Sequence, residues 1–166
     1  MRSLRNHARR VCGTAALMVL GVGCSESRQS TGLQNPAPVV EAVLVVSNLS
    51  APAGAPISVF VKANATASSV GSYTARIKYD PQALRFDGEA VIDKELRVIN
   101  PAPGLIRIAG VAPKGFADGL LAGYTFVVLQ ANGAKSLSLI VDEMHMVSHV
   151  DAKTDLVIAP TRTTSR

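Results

Sequence analysis

The side chains that could carry chemistry in this 166-residue sequence are few and poorly spaced for it. Asp142 and Glu143 are adjacent carboxylates. In an extended strand neighbours project to opposite faces, so the two cannot share a proton as an acid–base dyad. Asp80 precedes Pro81, and a carboxylate there is expected to accept from the backbone of its own turn. His145 and His149 stand four apart. On a helix that spacing would suit zinc, but an extended MHMVSHV segment spreads their Cα atoms by about 13 Å, too far for one metal. No G-x-S-x-G, H-E-x-x-H or glycine-rich phosphate loop occurs. The residues therefore read as a non-enzyme, with no metal site and no cofactor implied.

Cysteine chemistry points elsewhere. Arg-rich MRSLRNHARR precedes the apolar VCGTAALMVLGVG of residues 11–23, after which Cys24 opens the polar SESRQST. The apolar run is short for a bilayer span but suits an export signal. Small residues before Cys24 resemble the bacterial lipoprotein processing box, in which that cysteine takes the lipid and becomes residue one. The box prefers leucine three residues before the cysteine; here Gly21 holds that place and Leu20 lies one further back. A plain secretory signal is the alternative. The expectation is a signal peptide over 1–23 and a lipidated Cys24. That makes an exported lipoprotein held to the outer membrane or cell surface by acyl chains, with no spanning helix.

The leader also explains the charge. Four of the 17 basic residues (Arg2, Arg5, Arg9 and Arg10) fall in the first ten positions, leaving 13 to face the 12 acidic ones after Cys24. No Lys/Arg run survives there, so a nucleic-acid partner is not expected. Residues 24–38 are read as the lipidated Cys24 and a polar, proline-bearing tether, whose residues 25–38 could reach about 45 Å at full extension.

From Val39 to Pro160 the texture is β-rich. Tyr73, Ala75, Ile77 and Tyr79 alternate with Thr74, Arg76 and Lys78, and Asp80-Pro81 stops the strand before Leu84 and Phe86 resume the apolar pattern. Further strands are read at 39–47, 57–63, 104–112, 120–130 and 136–143. The 90–99 stretch is ambiguous between strand and helical turn. Asn132-Gly133 is a hairpin signal that would pair 120–130 with 136–143. Eight or nine short strands with polar faces make an all-β, antiparallel sandwich. Thr161–Arg166 is a polar tail.

The strand ending in Tyr79-Asp80-Pro81, with Leu84 after it, resembles the bacterial cohesin domain. So do Gly119-Leu120-Leu121 leading to Tyr124-Thr125-Phe126, then Asn132-Gly133, Ser136-Leu137-Ser138-Leu139 and the acidic pair closing Ile140–His145. The resemblance spans Val39 to about Pro160. It implies a nine-stranded jelly-roll sandwich that recognises another protein, such as a dockerin module in a polysaccharide-degrading setting, by one sheet face. Ser72 and Thr74 stand where dockerin-binding cohesins often carry Asn and Asp, which sets dockerin recognition apart from the fold. The expected contact face comprises Ser72, Thr74, Arg76 and Arg107.

Two other functions compete. A carbohydrate-binding module would lay flat rings along a polysaccharide, but the chain has no Trp, three Tyr and four Phe. Of these Phe116, set between glycine-bearing turns, is the ring expected to be exposed. A structural envelope sandwich would pair its edge strands with a neighbour.

Overall fold

The computed structural model describes residues 40–66, 68–90 and 96–164. The expected signal peptide, Cys24 and tether lie outside the described residues. Ten strands follow one another: β1 (Val40–Val46), β2 (Pro56–Ala65), β3 (Val70–Lys78), β4 (Leu84–Glu89), β5 (Leu96–Ala102), β6 (Leu105–Val111), β7 (Leu120–Val128), β8 (Ser138–Met146), β9 (Leu156–Ile158) and β10 (Arg162–Thr163). They form two sheets. One runs β10-β1-β2-β7-β4 with β9 also on β1; the other runs β5-β6-β3-β8.

Period-two patterning puts the apolar faces together. Val40, Ala42, Leu44 and Val46 of β1 are buried, as are Ile57, Val59, Val61 and Ala63 of β2. Tyr73, Ala75, Ile77 and Tyr79 bury from the opposite sheet, as the alternation predicts. The rings make the core specific: Tyr79 meets Phe126 edge-on at 5.2 Å and Phe86 meets Phe126 at 5.6 Å. Asp80 caps its own turn, its carboxylate accepting from the Gln82 N–H at 2.8 Å while its carbonyl accepts from Leu84 at 2.9 Å. That turn starts β4 with Leu84 buried.

Pairing is antiparallel except at one edge, where β9 and β10 lie parallel to β1. They are two pieces of one edge strand, interrupted around Pro160, which has no N–H for the ladder. This split takes the count to ten among the described residues where about nine were expected.

Asn132-Gly133 does turn the chain, with Asn132 left-handed at φ 64°, but it makes no hairpin. β7 pairs with β2 and β4, and β8 pairs with β3, so the turn carries the chain from one sheet to the other. A short 3-10 turn over Gly133–Ser136 does this. Ser136 Oγ accepts from the Asp80 N–H at 3.1 Å and donates to the Gly133 carbonyl at 2.7 Å, joining the two turns. A Cβ on Gly133 would lie 2.5 Å from the Ala83 carbonyl oxygen, so only glycine permits that approach.

Candidate interaction face

The β5-β6-β3-β8 sheet has one face in the core and one in the open. Its register places the outward residues in cross-strand rows. Leu96, Val111, Ser72 and His145 form one row; Val98, Ala109, Thr74 and Glu143 form the next; Asn100, Arg107, Arg76 and Ile140 form the third. The four residues expected at the contact, Ser72, Thr74, Arg76 and Arg107, therefore share this face. The β5–β6 half is apolar and open: Leu96 is 79 % exposed, Val98 70 % and Val111 48 %. The β3–β8 half is polar. Between them lies a shallow depression of about 500 Å³, lined by Thr74, Arg76, Val98, Asn100, Arg107 and Ala109 among others.

Asp142 belongs to this face because β8 is irregular. Thr74 pairs with Glu143 and Ala75 with Val141, leaving Asp142 as an extra residue. Val141 and Met144 are both buried, so Asp142 and Glu143 between them both turn outward. The expected opposite-face arrangement is corrected by that bulge, which resets the alternation. Asp142 grips Arg76 through two bonds, Nε to Oδ2 at 2.9 Å and Nη2 to Oδ1 at 2.5 Å. The Asp142 hydrogen bond, then its charge, raises the Arg76 pKa above its usual value.

The histidines depart from expectation too. MHMVSHV is not extended throughout: His149 has φ 63° and its N–H donates to the Met146 carbonyl at 2.9 Å, closing a tight turn. His145 and His149 thereby line one depression with Ser72 and Val111. Among the described residues no three His, Cys, Asp or Glu gather as metal ligands. Phe116 is likewise corrected, being 3 % exposed. Its N–H donates to the Val70 carbonyl at 3.0 Å, which draws the loop over the end of β3. Its ring then packs edge-on against Tyr73 at 5.3 Å, with the Arg97 guanidinium 5.4 Å from the ring centroid.

Leu96, Val98 and Val111 were not among the expected contact residues. Their signal was there: in β5 Leu96 and Val98 alternate with Arg97 and Ile99, so apolar residues occupy both faces of an edge strand.

A family model of the cohesin domain matches residues 42–163, most of the chain. The chain belongs to the cohesin family. Solved cohesin modules share the fold. A type II cohesin from Bacteroides cellulosolvens is 10 % identical with a TM-score of 0.56, over 75 % of this chain and 99 % of that one. The second type II cohesin module of the ScaA scaffoldin of Acetivibrio cellulolyticus is 14 % identical with a TM-score of 0.52, over 76 % and 95 %. A type II cohesin–X–dockerin complex from the same organism is 12 % identical with a TM-score of 0.53, over 76 % and 99 %. No curated protein matches the chain.

Proposed function

We propose that this cohesin domain is a non-catalytic protein-capture module, held at the cell envelope by lipid on Cys24, and that it takes a dockerin-type module on the outer face of the β5-β6-β3-β8 sheet. The observation that carries the reading is the exposure of Leu96, Val98 and Val111, clustered on adjacent strands outside a closed core. Burying such side chains gains roughly 1.5 kcal/mol or more each, the energy of an interface centre. Ser72, Thr74 and Arg76 supply the polar surround that such a centre needs. The partner class is supported by the solved cohesins of the same fold, which include a cohesin–X–dockerin complex. A polysaccharide-degrading context would come with that partner.

The glycan alternative has fewer supports. Tyr73, Tyr79, Tyr124, Phe116 and Phe126 are buried, and Phe86 packs on Tyr124 and Phe126. Phe60 is half-buried on the outer side of the other sheet. Among the described residues no row of rings lies open for sugars to stack on.

The test is calorimetric titration of the mature chain, with Cys24→Ser in place of lipid, against type I and type II dockerin modules. Affinity electrophoresis through soluble polysaccharides runs in parallel. Saturable dockerin binding that Val98→Asp abolishes, at an unchanged melting temperature, is expected. Retardation by glycan with no dockerin bound would reject the assignment.

A further inference from the structure

We infer that the partner of this face presents a carboxylate to Arg107, set beside an apolar side chain that seats on Val98 and Ala109. This rests on the contact-face reading above and adds the chemistry of what the face meets. Arg76 and Arg107 are direct partners in the β3–β6 ladder and project to the same side. Like charges directly opposite one another repel. On β3 the repulsion is answered, because Asp142 engages Arg76 with both of its oxygens. On β6 it is not: among the described residues Arg107 has no ion pair and no side-chain hydrogen bond. Its other lateral neighbour is the neutral Asn100. Among the described residues the other carboxylate of the face, Glu143, lies in the next row and two strands away.

Arg107 is exposed to solvent on the open face. Arg107 stands two residues from Ala109 on β6, and its partner Asn100 stands two from Val98 on β5, so all four line one depression. A partner that fits closely enough to dry Val98 and Ala109 also strips water from the Arg107 guanidinium. A cation that loses its water without gaining an anion opposes binding. A neutral or cationic partner surface is therefore selected against, and an acidic one is favoured. The planar guanidinium fork takes a carboxylate through two parallel bonds.

The experiment uses a display library on a dockerin scaffold, randomised at its exposed helix positions. It is selected on the mature chain carrying Cys24→Ser and counter-selected on Val98→Asp, so that only binders using this face survive. The expected survivors share Asp or Glu at one common position and bind Arg107→Gln at least tenfold more weakly. Affinity should return when Arg107→Asp is matched with their acid changed to Arg, with melting temperatures of all variants unchanged. Survivors without that acid, or survivors that bind Arg107→Gln equally well, overturn the carboxylate inference and leave the contact face standing. Loss of every binder at the Val98→Asp counter-selection brings down the face itself and this inference with it.

Discussion

The phenol of Tyr73 on β3 donates to the main-chain carbonyl of Leu121 on β7 at 2.7 Å, tying one sheet to the other inside the core. The carbonyl is available because the β2–β7 ladder skips a residue: Val61 pairs with Ala122 and Lys62 with Leu120. Arg97 Nε reaches the same oxygen at 2.6 Å from β5. Tyr73→Phe keeps the ring and removes one donor, and should cost about 1–2 kcal/mol. Urea unfolding should show a lower midpoint with an unchanged slope.

Tyr79 ends the alternating run of β3, its ring edge-on to Phe126 and its hydroxyl donating to the Ala102 carbonyl at 3.3 Å. Tyr79→Ala should cost about 3–5 kcal/mol, as the loss of a large core side chain does. Tyr79→Phe should cost about 1 kcal/mol or less, since the bond removed is long. A loss below about 1 kcal/mol for the alanine variant would contradict the packing described.

Burial pushes the Tyr124 phenol far above its usual range; the Tyr73 and Glu89 charges add to this and Arg97 opposes it. A raised phenol pKa means that the folded state keeps a proton which the unfolded chain releases above about pH 10. Stability from this group is complete below that pH and falls as pH rises beyond it, by at most about 1.4 kcal/mol per unit. Urea midpoints measured from pH 8 to 11 should decline more steeply for the native chain than for Tyr124→Phe.

The lipid-anchor proposal predicts that Cys24→Ser moves the protein from the membrane fraction to the soluble one. Labelled fatty acid should be incorporated by the native chain and not by the variant. Equal fractionation of the two would reject the anchor and favour a plain secretory signal.

Strand identity was legible wherever alternation was unbroken. Tyr73 to Tyr79 has one buried face and one polar face, and Asp80-Pro81 punctuates it by local chemistry alone. The misreadings lie where a single inserted residue or a distant partner decides. Asp142 and Glu143 share a face because of one extra residue, which no period-two count can see. Phe116 is buried by Tyr73 and Arg97, each remote in sequence. Asn132-Gly133 carries the turn signal of a hairpin, yet which strand follows beside which is set by the core. The parallel return of β9 and β10 to β1 joins the first and last described strands, and local pattern carries nothing about it.

The bulge at Asp142 sits on β8, an outer strand of its sheet. An incoming strand would meet an interrupted row of amides there and two adjacent carboxylates beside it, so the sheet does not readily grow from that seam. Strand addition by a second copy is thereby opposed at the β8 edge, while the exposed Leu96 and Val98 stand on β5 at the far edge of the same sheet.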